Sequence, residues 1–215
     1  MQNQFAIYSH FSFSNYPTNM SQNLAKSKTL IISFSLQQDS QSLKVASYLQ
    51  KVWGKSAEIL DLFQNPLPLW EEEVWENTEK WQKLLIPIKE KLQNAESFVF
   101  VVPEYNGAPS PSYYNFMLFL GLESSHKPVL ITTVSSGRGG SYPVLGIRAF
   151  GYKNIKINFI PEHLIIQNVE NEEYKNREFM QEKIAFTLNI LDIYATNFVS
   201  IRKEIQFNQK FQYGM

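Results

Sequence analysis

Apolar residues along the chain fall into two repeating patterns. Short continuous runs come first: Lys28–Ser35 (KTLIISFS), Ala57–Phe63 (AEILDLF), Ser97–Val102 (SFVFVV), Pro128–Val134 (PVLITTV) and Ile155–Ile160. Runs of this length, bounded by polar or turn-forming residues, read as buried strands. SFVFVV and PVLITTV are apolar at every step, so both of their faces are covered and they belong inside a sheet. Between the runs the spacing becomes helical. Leu43, Val45, Ala46, Leu49 and Trp53 line one face, with Ser40 as N-cap and Gly54 as terminator. Asn77–Ala95 predicts a long amphipathic helix kinked or broken at Pro87. An apolar helix follows Ser112 to about Leu122, a short one spans Val144–Phe150 and ends at Gly151, and Glu172–Val199 reads as a long terminal helix. Gln64–Trp70 (QNPLPLW) holds two prolines and is irregular. Pro103–Ser112 and Ser135–Ser141 read as loops.

Strands alternating with helices, and apolar on both faces, define an α/β fold: a parallel sheet between two helical layers. Five such units predict a doubly wound five-stranded parallel sheet of order 2-1-3-4-5. A closed barrel needs eight units, and 215 residues are too few. Ligands in open sheets of this kind bind beyond the carboxyl ends of the strands, where the winding reverses. That point lies between strands one and three. It selects three loops: Ser33–Ser42, Pro103–Ser112 and Ser135–Ser141.

The length corresponds to one domain. We expect residues 28–200 to form it, with residues 1–27 an N-terminal extension outside the core (Met20 being an alternative start) and residues 201–215 a tail. Lysine plus arginine and aspartate plus glutamate each number 20, so the formal charge is zero. A polybasic surface for nucleic acid or membrane is not expected. The absence of cysteine excludes disulfides, thiolate nucleophiles and Cys-ligated metals. No run of 18 apolar residues occurs, and polar residues interrupt the first 27 throughout, so a cytoplasmic location is expected.

The three loops carry the chemistry. Ser35, Gln37, Ser40 and Ser42 crowd hydroxyls and an amide at the start of a helix, which suits either a phosphate or simple capping. No GxGxxG or P-loop pattern is present. Asn106-Gly107 marks a tight turn, with or without a ligand beside it. Arg138 is the one strong cation of these loops, and a solvated arginine is an equal reading. His10, His126 and His163 stand far apart without metal spacing, so no metal site is expected. The Glu71-Glu72-Glu73 run reads as solvated. Trp70, Trp75 and Trp81 beside it are read as core, with a ligand pocket or an oligomer contact as alternatives.

Pro103-Glu104-Tyr105-Asn106-Gly107, directly after a hydrophobic strand, resembles the PEYNG signature of the NADPH-dependent FMN reductase family. The resemblance runs from about Lys28 to Ile160. Asn115 falls where the family's next helix carries an asparagine. Ser135-Ser136-Gly137-Arg138-Gly139-Gly140 resembles the family's Gly-rich segment, and Leu145 and Arg148 match the spacing that follows. The resemblance implies a flavodoxin-like fold with FMN and NADPH as cofactors, and hydride transfer to a flavin, quinone or azo acceptor. It implies that Ser35, Gln37, Ser40 and Ser42 hold the FMN phosphate. Pro103, Glu104, Tyr105, Asn106 and Gly107 would line the isoalloxazine through backbone, and Ser135, Gly137 and Gly139 would border its other edge. Arg138 would meet a flavin carbonyl or an NADPH phosphate. No side chain is required as catalytic acid, base or nucleophile. A homodimer or homotetramer is implied as well.

The first loop departs from the family pattern at two places. Phe34 stands where the family has Gly, and Gln37 where it has Arg. Loss of that arginine removes a charge-assisted contact worth about 1.5–3 kcal/mol. These departures define the alternative: a flavodoxin-fold binding or regulatory module with weak or lost flavin binding. A one-electron flavodoxin carrier is disfavoured by the neutral charge and the PEYNG loop.

Overall fold

The computed structural model describes residues 26–205 and residue 210. The expected N-terminal extension, but for residues 26 and 27, and His10 lie outside the described residues, as does most of the expected tail. In chain order the regular elements are β1 (Thr29–Ser33), α1 (Gln41–Trp53), β2 (Ala57–Asp61), α2 (Glu79–Asn94), β3 (Ser97–Tyr105), β4 (Ala108–Pro109), α3 (Pro111–Phe119), β5 (Pro128–Val134), α4 (Ser141–Arg148), β6 (Asn158–Ile166), α5 (Glu173–Asn176) and α6 (Glu178–Glu204). Five strands pair in parallel in the order β2-β1-β3-β5-β6, and β4 adds a two-residue antiparallel partner to β3. Apart from that hairpin this is the expected 2-1-3-4-5 winding.

The core divides at the sheet. Leu30, Ile32, Phe98, Phe100, Val129 and Ile131 face one way and meet Ile88 and Leu92 of α2, Tyr113 and Phe116 of α3 and Ile147 of α4. Ile31, Val99, Val101, Leu130 and Leu164 face the other way and meet Val45 and Leu49 of α1 and Ile184, Leu188 and Leu191 of α6. Adjacent strand residues point to opposite faces, so two-sided burial requires the uninterrupted apolar runs read in the sequence.

Several boundaries differ from expectation. Helix α2 runs through Pro87 without a break. Strand β3 continues past Pro103 to Tyr105, so part of the expected loop is strand. Proline is tolerated there because β1 pairs only as far as Val101, leaving one side of Pro103 free of ladder bonds. The last strand starts at Asn158 rather than Ile155 and runs to Ile166, with an irregularity in its pairing between Val129 and Ile131 of β5. Arg148 anchors this stretch by donating to the carbonyls of Ile160 (2.9 Å) and Pro161 (2.8 Å). Helix α4 closes at Arg148, before the expected Gly151. Helix α6 extends to Glu204, so residue 200 lies within it. By length and composition α6 is also apolar enough to cross a membrane. Its Ile184, Leu188 and Leu191, however, pack on the sheet.

Candidate functional site

The first loop leaves the carboxyl end of β1. Phe34 continues the strand by one residue, its N–H donating to the Val101 carbonyl (3.0 Å). Its ring is wholly buried and meets Phe100, Tyr113 and Phe116 edge-on at 5.2–5.5 Å. The residue in the family's glycine position therefore points into the core and not into the loop. Beyond it, Ser35 is buried and its Oγ accepts from the Gln37 N–H (3.3 Å), whereas Gln37 itself is exposed. Ser40 caps α1: its Oγ accepts from the Leu43 N–H at 3.1 Å, and its carbonyl accepts from Lys44. The first-turn N–H groups of Gln41 and Ser42 have no intrahelical acceptor, as at any helix start, and they lie at the positive end of the helix dipole. At the foot of the loop, Ser33 Oγ and Asp61 Oδ2 are buried without a hydrogen-bond partner. These two residues are register partners across β1 and β2.

The second loop is a hairpin. Asn106 and Gly107 both adopt positive φ (51° and 77°), which is the two-residue turn that Asn-Gly favours. Around it Glu104 pairs with Pro109 and Tyr105 with Ala108. Tyr105 and Asn106 are exposed, Pro103 is buried, and a Cβ built on Gly107 would meet nothing within 4 Å.

The third loop follows β5. Ser135 is half-buried, Gly137 and Arg138 are exposed, and open space lies over Gly137 as well. Its shape is set from β6 and the turn beyond. Asn168 N–H donates to the Gly137 carbonyl (2.8 Å), Val169 N–H to that of Ser135 (3.1 Å), and Gln167 Nε2 to that of Gly139 (2.8 Å).

Side chains tie the three loops to one another. The Glu104 carboxylate of the hairpin accepts from the Gly140 N–H of the third loop. A Cβ on Gly139 would overlap that carboxylate, and one on Gly140, at φ 101°, would press on Ile165. Phe34 donates nothing further, but its carbonyl accepts from Ser110 Oγ (3.1 Å) and Ser112 Oγ (2.5 Å) at the start of α3. Glu104 and Gly139, each expected to touch a ligand, thus touch one another. Sequence reading missed Gly140 and the two serines. The double glycine was visible, but its partner lies 36 residues away.

Asn115 has a different part from any predicted contact. Its Oδ1 accepts from the Trp70 N–H (2.8 Å) and its Nδ2 donates to the Pro68 carbonyl (2.8 Å), which pins the proline-rich segment onto α3. Leu36, Leu62, Leu67, Leu69, Ser112 and Asn115 then enclose a cavity of about 260 Å³ beside the first loop. Of the tryptophans, Trp81 is buried and donates to Glu73 (3.1 Å), while Trp75 is 72% exposed and meets Trp70 edge-on. Burial pushes the Tyr113 hydroxyl well above its ordinary range, so it remains a neutral donor to the Ile147 carbonyl (3.3 Å). Desolvation lowers His126 and His163. Among the described residues no group of three His, Asp or Glu is placed to hold a metal ion.

The chain resembles solved structures of the same architecture at low identity. It is 16% identical to FerB, a flavoenzyme NAD(P)H:(acceptor) oxidoreductase from Paracoccus denitrificans, with 81% of this chain and 99% of that one covered at a TM-score of 0.68. RosB, solved with bound 8-demethyl-8-formylriboflavin-5'-phosphate, is 14% identical over 85% and 92% of the two chains, with a TM-score of 0.60. An NAD(P)H:quinone oxidoreductase from Methanothermobacter marburgensis is 11% identical over 75% and 96%, with a TM-score of 0.54. At such identities the likeness speaks for the flavodoxin-like fold. Membership is carried by the sequence itself: residues 27–171, two thirds of the chain, match the NADPH-dependent FMN reductase family, and the chain belongs to that family.

Proposed function

We propose that this protein binds FMN and, with a nicotinamide donor, reduces a flavin, quinone or azo acceptor. The observation that carries this reading is the bracing of three loops over one stretch of the sheet's carboxyl edge. Open space lies over Gly107 and Gly137. The residues fit the cofactor. Exposed turns with no side chain at Gly107 and Gly137 suit a flat ring approached by backbone. The start of α1, with Ser33 Oγ orphaned beneath it, suits a polar anionic group. When bound, FMN would accept hydride from the nicotinamide and pass it to the acceptor.

The protein's own residues would bind and orient. Ser35, Ser42 and the free N–H groups of α1 would hold the phosphate. Ser40 would contribute what its cap leaves over, and Gln37 a neutral amide. Pro103, Tyr105, Asn106 and Gly107 would line the ring through backbone, with Ser135, Gly137 and Gly139 along its other edge. Glu104 would hold the two loops at fixed separation, and Arg138 would meet a flavin carbonyl or a nucleotide phosphate. Residues 28–200 would constitute the flavin-binding unit, working in the cytoplasm as a homodimer or homotetramer. Exposed Tyr105, Tyr142, Leu145 and Tyr152 on the hairpin, α4 and the turn after it support subunit contact near the site.

The absorbance spectrum of the purified protein tests this, recorded before and after FMN and then NADPH. Bound yellow chromophore that bleaches with NADPH is the expected result. Flavin that binds without bleaching would make the protein a carrier. Failure to bind FMN in excess would leave the fold as a binding or regulatory module.

A further inference from the structure

We propose, resting on the reductase reading of the site, that the leucine-lined cavity beside the first loop is an acceptor subsite, and that it takes the hydrocarbon chain of a tailed quinone. Buried Leu62 and half-buried Leu67, which packs on the core, form its floor. Leu36 and Leu69 stand at its rim and are 55% and 81% exposed. A lone exposed leucine needs no explanation. Two that line one hollow from separate segments, over two more leucines, make a concave apolar surface of the kind that binds ligands.

The polar atoms in the wall are already engaged. Asn115 gives its amide to the Trp70 N–H and the Pro68 carbonyl, each at 2.8 Å. Ser112 Oγ donates to the Phe34 carbonyl (2.5 Å) and lies 2.9 Å from Ser110 Oγ. Among the described residues no charged side chain lines the cavity. An occupant is therefore offered hydrocarbon contact and little hydrogen bonding. The wall is also preformed. Pro66 and Pro68 fix their own φ angles, and Asn115 clasps the residues on both sides of Leu69. Less ordering is then needed when a chain enters.

Size and position decide what the occupant is. A cavity of about 260 Å³, at roughly 30 Å³ for each water-sized group, holds about eight or nine carbon atoms. That is too little for a whole acceptor with its substituents and enough for an alkyl or prenyl chain. Leu36 sits between Ser35 and Gln37 of the first loop, and Ser112 lies in the first turn of α3, directly beyond the hairpin. The cavity thus adjoins two of the three loops. A free flavin offers it only a polar ribityl chain and an azo compound only rigid rings, whereas a quinone can carry a flexible hydrocarbon chain.

Two acceptors with one ring test this: dimethoxymethylbenzoquinone without a chain, and the same quinone bearing a decyl chain, each assayed with NADPH and the FMN-loaded protein. A chain held equally in the ground and transition states lowers KM and leaves kcat unchanged. Each buried methylene is worth about fourfold, so the chain is expected to lower KM at least tenfold. Leu69→Asp should abolish that advantage and leave the chain-free quinone unaffected. Leu69→Trp, which fills the cavity instead of charging it, should do the same, and Leu69→Met should keep the advantage. Leu69 is exposed, so these variants should fold. Equal KM for the two quinones, or an advantage that survives both Leu69→Asp and Leu69→Trp, overturns the proposal. Should neither quinone be reduced, the reductase reading is at fault, and the cavity is then read without turnover. Quenching of tryptophan fluorescence, with Trp70 next to the rim, should show the decyl quinone bound at least tenfold more tightly than the chain-free one, and this preference should vanish in Leu69→Asp. Equal binding of the two quinones there overturns the proposal on its own.

Discussion

The two edges of the sheet are built on opposite principles. At the amino edge, side chains from distant parts of the chain close the structure. Ser27 donates twice to Asp192 (2.7 and 2.9 Å), Trp53 donates to the Ser27 carbonyl (3.1 Å), and Thr29 and Ser97 share a hydrogen bond of 2.7 Å. Buried Lys127 donates to the carbonyls of Leu92 (2.6 Å) and Gln93 (3.0 Å) at the end of α2. At the carboxyl edge the chain instead exposes backbone. Positive φ recurs there at Asp39, Asn106, Gly107, Gly140 and Asn168. The amino edge spends its polar groups on itself, while at the carboxyl edge the space over Gly107 and Gly137 stays open. This is the division expected of a doubly wound sheet, with stability at one end and binding at the other.

The strongest challenge to that division is Phe34, which sits in a site loop yet belongs to the core. Phe34→Ala should cost about 3–5 kcal/mol, measured by denaturant unfolding, because it removes a wholly buried ring from three aromatic neighbours. Phe34→Gly, which restores the family residue, should destabilise at least as much. A loss below 1 kcal/mol would mean that the ring is not packed as described.

At the amino edge the corresponding test is pH. Burial lowers Lys127 from 10.5 to about 8. Between those values the unfolded chain binds a proton that the folded chain does not, so this residue makes stability rise with pH across the window, and below pH 8 the full cost of burying its charge is present. A span of 2.5 units corresponds to about 3 kcal/mol. The difference in unfolding free energy between the protein and Lys127→Met should change by that order between pH 8 and 10.5. A difference that stays flat would place Lys127 in water.

Gly139→Ala probes the brace of the carboxyl edge. The added methyl would displace the Glu104 carboxylate from the Gly140 N–H. A hydrogen bond to a charged group is worth about 1.5–3 kcal/mol, so FMN should bind roughly ten- to a hundredfold more weakly while global stability changes less. Fluorescence titration measures this, and unchanged affinity would make the brace irrelevant to the ring.

How much of this was legible in the sequence follows the same division. SFVFVV and PVLITTV announced their central place because burial on both faces leaves no polar position. Asn106-Gly107 announced its turn because few other pairs tolerate two positive φ angles. Pro103 and Pro161 misled, since each reads as a strand end. Proline is excluded only where a ladder bond is needed, and Pro103 has one free side while Pro161 lies on an edge strand. The Glu104–Gly140 contact, the Asn115 clasp and the ties of the amino edge join residues 26 to 165 positions apart. No local pattern encodes such contacts. The direction of the Phe34 ring was not legible for a similar reason: comparison with the family pattern identified the substitution, but only packing shows which way the ring turns.

The smallest expected effect sharpens the comparison most. Gln37→Arg returns a cation to the first loop without touching the core, because Gln37 is exposed. Without ligand, the guanidinium would sit near the positive end of the α1 dipole, at a cost of about 0.3–1 kcal/mol. With a phosphate in the loop it would gain about 1.5–3 kcal/mol. The dipole cost falls on the free protein and so does not reduce the gain on binding; the lower end of that gain, about 1.5 kcal/mol for an exposed loop, predicts FMN binding about tenfold tighter. Riboflavin, which has the ring but no phosphate, should bind as before. Tightening of both ligands alike would mean that the arginine contacts the ring or merely alters the field. Tightening of neither would remove the phosphate from the first loop while leaving the hairpin and the Gly-rich loop untouched as a place for the flavin ring.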